Sequence, residues 1–167
     1  MFRIERGAEY ANAGNVLVQD GLSVYQGLEL GASKRAGAWT VGGNLMLLDS
    51  EYRKGSDYNG KRVAGAPRFV AAGQVVYRVP QVQGLRLRAD FKYTGSTMLR
   101  PANDVKTSGY TIVNVGASYE TRLGGYDTIF RAAITNLADK RYWEFQYADY
   151  VKPGYPRALA LGMTLKF

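Results

Sequence analysis

The sequence predicts an all-β fold, the wall of an antiparallel transmembrane β-barrel built from about eight meander strands. Three observations point there. Apolar and polar residues alternate with a period of two, connections are alternately short and long, and every second residue of the final segment is large and apolar.

Composition narrows the function classes. The 167 residues contain no cysteine and no histidine, which excludes a disulfide framework and thiolate metal sites and removes the commonest general base. The expectation is a protein that is not an enzyme, with no catalytic residue, no metal site and no cofactor of its own. No stretch approaches the ~20 consecutive apolar residues of a membrane helix. The best candidate, Asn44 to Leu48, is broken by Asp49 and Glu51. The formal charge is +8, but Lys and Arg are scattered among acidic residues, as suits a solvated or lumen-facing set, so no nucleic-acid partner is expected. Thirteen tyrosines and twenty glycines favour strands over helices. Met1 leads directly into Phe2-Arg3-Ile4-Glu5 with no signal-peptide pattern. For an outer-membrane protein, the expectation is that the true N-terminus is missing.

The elements follow in order. Phe2 to Tyr10 reads as the first strand. In the second, Leu22, Val24, Leu28 and Leu30 alternate with Ser23, Tyr25 and Glu29, with Gln26 as the exception. Weaker alternation runs through Trp39, Val41, Leu45 and Leu47, and through Phe69, Ala71, Val75 and Tyr77. The strongest case sets Leu85, Leu87, Ala89, Phe91 and Tyr93 against Arg86, Arg88, Asp90, Lys92 and Thr94. Val113, Val115, Ala117 and Tyr119 alternate with Asn114, Ser118 and Glu120, and Phe130, Ala132 and Ile134 continue the pattern.

Short connections fall at Ala36 to Ala38, Pro80 to Gly84 and Leu123 to Tyr126, and long ones at Lys54 to Pro67, Leu99 to Gly109 and Ala138 to Tyr155. Short periplasmic turns opposite long external loops are the outer-membrane pattern. Trp39, Tyr77, Tyr93, Tyr110, Tyr119 and Phe167 lie near strand ends, where an interfacial girdle would sit. On this assignment Glu29, Arg86, Arg88, Asp90, Lys92, Glu120, Arg122 and Arg131 face the interior, because an Arg or Lys facing lipid near the midplane costs ~2 to 4 kcal/mol.

In the last strand, Ala158 to Phe167, the residues Leu159, Leu161, Met163, Leu165 and Phe167 form one stripe and the residues between are small or polar. This ending resembles the C-terminal signal by which the barrel-assembly machinery recognises outer-membrane barrels.

Upstream, Ile134-Thr135-Asn136-Leu137-Ala138-Asp139-Lys140-Arg141-Tyr142-Trp143 resembles the asparagine-leucine, aspartate-lysine, tyrosine block near the end of TonB-dependent receptors. Gly154-Tyr155-Pro156-Arg157 is similar to the family's lead into its final strand, and Tyr25 to Leu30 to an earlier glycine, glutamate strand. Gly60 to Pro67 and Ser108 to Gly116 agree as well, with Asn114 where the family usually carries aspartate. The Tyr142-Trp143 pair looks more like ferric-siderophore receptors than vitamin B12 receptors.

The resemblance implies a plug inside a barrel of roughly twenty-two strands. Residues 1–167 would be the C-terminal part of that barrel, with the plug domain, the energy-coupling box and the earlier strands absent. It also implies a bacterial outer-membrane location and energised import of a ferric siderophore as transported ligand. The implied partners are membrane lipid, the barrel-assembly machinery and the TonB complex acting through the plug. In the external loops Tyr58, Arg62, Arg100, Tyr142, Trp143, Tyr147 and Tyr150 combine aromatic surface with positive charge, as an anionic ferric chelate requires. Two other architectures satisfy the alternation: a self-contained eight-stranded outer-membrane barrel with a structural or adhesive role, and a soluble ligand-binding barrel.

Overall fold

The computed structural model describes residues 1–11, 16–54 and 57–167, so residues 55 and 56 of the expected Lys54 to Pro67 loop lie outside the described residues. The chain runs β1 (Phe2–Ala11), β2 (Leu17–Ala36), β3 (Trp39–Lys54), β4 (Phe69–Arg78), β5 (Leu85–Thr94), β6 (Thr97–Met98), β7 (Lys106–Thr107), β8 (Tyr110–Leu123), β9 (Tyr126–Thr135), β10 (Trp143–Tyr147), β11 (Tyr150–Pro153) and β12 (Ala158–Lys166). Eight of these form one antiparallel sheet in the order β1-β2-β3-β4-β5-β8-β9-β12. The short pairs β6-β7 and β10-β11 are hairpins inside two of the long connections.

Turn chemistry sets the register. Gly37 takes φ 56° between β2 and β3, and Gly124 and Gly125 take 59° and 89° between β8 and β9. Positive φ at these positions gives the tight turns whose twist matches that of the flanking strands. The resulting registers put one parity of every strand on a common face. Leu85, Leu87, Ala89 and Phe91 stand opposite Tyr119, Ala117, Val115 and Val113, while Tyr77, Val75 and Gly73 continue the same rows into β4. On the far side, Leu159, Leu161, Met163 and Leu165 pair with Ile134, Ala132, Phe130 and Thr128.

That face has no cover. Among the described residues the buried hydrophobic side chains are Val24, Val63 and Ala66 alone, whereas Leu30 is 53% exposed, Val41 53% and Leu161 76%. A water-soluble sheet would bury such a face against a second layer, so the soluble barrel fails. Charges occupy the opposite face, where Arg86 meets Glu120 at 3.0 Å and Arg122 meets Asp127 at 3.0 Å. Arg131 donates to the Thr164 hydroxyl at 2.8 Å.

Aromatic pairs mark the belt's two limits. Trp39 and Tyr77 lie 4.3 Å apart near the short turns, and Phe69 and Tyr93 5.8 Å apart near the long loops. The eight steps from Phe69 to Tyr77 cover about 20 Å of height at a ~45° tilt, close to the ~25 Å apolar band of a membrane barrel. Tyr110 does not join this girdle. It pairs with Thr94 on the inner parity and stacks on Tyr142.

β2 and β3 run well past the belt. Leu28 pairs with Leu47, but one rung higher Gln26 pairs with Asp49 and donates to its carboxylate at 3.3 Å. Arg3 meets Glu5 at 2.7 Å on the same side, and Arg53 meets Glu51 at 3.4 Å. The outward surface therefore turns polar where the wall leaves hydrocarbon.

Among the described residues β1 pairs only with β2 and β12 only with β9. The sheet is open, and the closed eight-stranded barrel is not formed.

Candidate functional site

The three long connections after β3, β5 and β9 meet above the belt and are stapled into one cap. Its anchor is Asn136, just past β9. Asn136 is 3% exposed and adopts φ 49°, which asparagine tolerates better than most residues. Its Nδ2 donates to the Lys140 and Tyr155 carbonyls at 2.9 Å each, and its Oδ1 accepts the Lys140 N–H at 2.8 Å. One carboxamide thus closes both ends of the last loop. Asp139 completes the clasp, taking the Arg157 N–H on Oδ1 at 2.9 Å.

The clasp reaches the sheet through Asn114, whose Oδ1 accepts the Asn136 N–H at 2.9 Å and whose Nδ2 donates to Asp90 Oδ2 at 2.7 Å. An aspartate at position 114 would lack that donor and would set two carboxylates against each other. The most specific sequence block is therefore a structural clasp at its core.

Asn103, at φ 59°, ties the first two loops together. Its Oδ1 accepts the Arg62 N–H at 2.8 Å and its Nδ2 donates to the Arg62 carbonyl at 2.9 Å. Gly65 N–H adds a bond to the Met98 carbonyl at 2.9 Å. The third loop joins through Phe145, whose ring lies where a side chain at position 65 would stand, so only glycine fits there. Asp149 N–H donates to the Leu99 carbonyl at 3.3 Å.

The seven loop residues expected to contact ligand separate on this geometry. Arg100 is held between Asp149 and Asp104, the latter at 3.1 Å. These two carboxylates, Asp149 foremost, raise its pKa and neutralise its charge locally. Arg100 is a strut between loops. Tyr142 is another, stacked 4.1 Å from Tyr110 and covering Gly154. Burial first, and then Glu144, pushes its hydroxyl above the ordinary tyrosine range.

Arg62 is half-buried. Its guanidinium donates to the Ala66 carbonyl at 3.2 Å, while its Nε is buried with no hydrogen-bond partner. Burial, followed by the like charge of Arg68, lowers its pKa. Tyr58 sits under the Lys61 ammonium, 5.6 Å from the ring centroid. Trp143 is 58% exposed, and Tyr147 and Tyr150, 61% and 58% exposed, stack at 4.5 Å at the tip of the β10-β11 hairpin. The exposed part of the cap is thus Arg100 with Trp143, Tyr147 and Tyr150, while Tyr58, Lys61 and Arg62 are half-buried.

Sequence reasoning passed over Tyr155, 72% exposed with the Lys152 ammonium 5.0 Å from its ring, and over Phe145 and Asn103. Tyr155 was legible as a loop aromatic beside a lysine. Phe145 and Asn103 act through partners about eighty and forty residues away, which local chemistry does not reveal.

Among the described residues no group of His, Cys, Asp and Glu is placed to hold a metal ion. The inner face of the wall is polar and mostly basic, with Arg78 beside Arg86 and Arg88 two residues on.

A family profile described as "TonB dependent receptor-like, beta-barrel" matches residues 4–137. The ferrichrome receptor FcuA of Yersinia enterocolitica is 29% identical over 124 residues, 72% of this chain and 16% of that protein. The ferrichrome outer membrane transporter/phage receptor of Escherichia coli K12 is 30% identical over 105 residues, 61% of this chain and 14% of that protein. Among solved structures, the ferric preacinetobactin receptor BauA of Acinetobacter baumannii superposes with a TM-score of 0.87 at 23% identity, covering 99% of this chain and 26% of that one. The ferric citrate transporter FecA gives 0.83 at 19% identity, covering 95% and 26%. The chain thus spans less than a fifth of the curated relatives and about a quarter of these structures.

Agreement over nearly the whole chain means that the sheet has the curvature of one sector of a much larger barrel. With the uncovered apolar belt, the charged inner face and the matched residues 4–137, this places the chain in the TonB-dependent receptor-like β-barrel family.

Proposed function

We propose that the chain is the C-terminal wall and loop cap of a bacterial outer-membrane receptor that imports ferric siderophores with energy from the TonB complex. The observation that carries this reading is a single sheet with an uncovered apolar belt on one face, charges on the other and an aromatic, basic cap at one end. Relatives named as ferrichrome receptors direct the choice of ligand.

In this reading residues 1–167 contribute barrel wall, and the plug on which the TonB complex pulls lies elsewhere in the receptor. The chain alone does not transport. Leu159, Leu161, Met163, Leu165 and Phe167 serve as the strand read by the barrel-assembly machinery. The belt takes up lipid, and Tyr58, Arg62, Trp143, Tyr147 and Tyr150 present rings and charge to a ferric chelate. Arg100, exposed and held by Asp149 and Asp104, and Tyr142, stacked on Tyr110, fix the loops that carry that surface.

The two tryptophans are Trp39 in the wall and Trp143 in the cap, so fluorescence reports directly on the site. With the chain in outer membranes, ferric hydroxamate siderophore is expected to quench Trp143 saturably, and Trp143→Phe to abolish the response while outer-membrane fractionation is unchanged. Quenching that persists in Trp143→Phe, or that never saturates, argues against the cap as a ligand surface. Recovery of the chain in the soluble fraction argues against the wall itself.

A further inference from the structure

Every outward-facing position of β2 to β5 between the two aromatic pairs is uncharged except Lys34. Lys34 is exposed and pairs with Val41, one outward rung from the Ala36–Trp39 pair beside the Gly37 turn. Among the described residues it has no ion-pair partner. Beside it the outward surface sinks into a trough of ≈ 900 Å³. Ala32, Gly43 and Gly73, successive partners across three strands, form its floor. The Phe91 ring closes one end, lying over Gly73, where an added Cβ would come within 2.5 Å of it.

The trough is as large as clefts that hold small molecules, about 300 to 1,000 Å³, and at this depth of the belt the available occupant is a hydrocarbon chain. A lysine at the edge of hydrocarbon extends its ammonium to the headgroup layer, where an anion satisfies it. Gly37 lies on the short-turn side, which in outer-membrane barrels is periplasmic.

We propose that Lys34 and the Ala32–Gly43–Gly73 trough seat one anionic phospholipid of the periplasmic leaflet. Its phosphate meets the Lys34 ammonium, and one acyl chain lies along the trough against Phe91. The inference rests on the membrane-wall reading above.

The test uses the full chain expressed into outer membranes and extracted in mild detergent, with retained phosphatidylglycerol measured by mass spectrometry. Fractionation and protease resistance are recorded first, and a wild-type chain recovered in the soluble fraction without detergent overturns the wall reading itself. For inserted protein, Lys34→Gln is expected to lower retained phosphatidylglycerol about fivefold, the weight of one basic residue at an anionic surface. Lys34→Arg is expected to keep it. Ala32→Phe, which fills the trough and leaves the charge, is expected to lower it as well. Equal retention in wild type and Lys34→Gln, unchanged retention in Ala32→Phe, or lipopolysaccharide retained in place of phospholipid overturns the proposal. If Lys34→Gln does not insert, competition between phosphatidylglycerol and phosphatidylethanolamine on the wild-type chain decides, and no preference for the anionic lipid overturns it.

Discussion

The Asn136 carboxamide donates to the Tyr155 carbonyl at 2.9 Å across nineteen residues of chain. Asn136→Ala removes the three part-buried hydrogen bonds to the Lys140 carbonyl, the Lys140 N–H and the Tyr155 carbonyl and leaves alanine at φ 49°. Each lost hydrogen bond is worth about 0.5 to 1.5 kcal/mol, so a loss of roughly 2 to 4 kcal/mol is expected. A lower urea midpoint for the folded protein would register it, together with faster proteolysis between Ala138 and Tyr155. Asn136→Asp keeps the acceptor and loses the donor, and an intermediate loss is expected.

Two residues of β5 give a sharp test of the two faces. Phe91 is 44% exposed on the belt, opposite Gly73 and midway between the two aromatic pairs, while Arg86 pairs with Glu120 at 3.0 Å on the inner side. Phe91→Arg is expected to cost ~2 to 4 kcal/mol near the midplane and to reduce outer-membrane levels. Arg86→Leu removes only a half-exposed ion pair, worth about 0 to 1 kcal/mol. Quantifying both variants in the outer-membrane fraction checks the assignment, which fails if Arg86→Leu is the more damaging.

Asn103→Ala removes both bonds to the Arg62 backbone. Hydrogen exchange at the Arg62 amide is expected to speed up, with the loop residues 57–67 following and the sheet amides of β4 and β5 unchanged. Equal rates in variant and wild type would show that the loops hold together without this staple.

The raised pKa of Tyr142 has a definite consequence for alkaline stability. Its neutral form is favoured in the folded cap, so its contribution is complete below the ordinary value of 10.0 and is lost as pH rises through the raised one. The cap is expected to loosen only above pH 10. Tyr142→Phe should remove this contribution, as followed by Trp143 fluorescence across an alkaline titration.

The wall was legible because period two is a direct image of a two-sided sheet. The parity read from Leu85 to Thr94 is the one the registers show. Gln26, an exception to the pattern of its strand, proved informative. It bonds Asp49 where β2 and β3 leave the belt, so alternation continues while the outward side changes from apolar to polar. The cap was less legible. Arg100 and Tyr142 were legible by their chemistry, but their partners Asp149 and Tyr110 were not. These partners come from distant parts of the chain, and the β6-β7 and β10-β11 strands are too short to carry a period.

The change from Leu28 and Leu47 to Gln26 and Asp49 acts as a waterline drawn on the hull of the protein. Sinking the wall by one rung would submerge a bonded polar pair, and raising it would leave the Phe69–Tyr93 rings stranded in water above the lipid tails. The long β2-β3 hairpin is freeboard on one side only, so the wall registers its own depth and cannot float upside down.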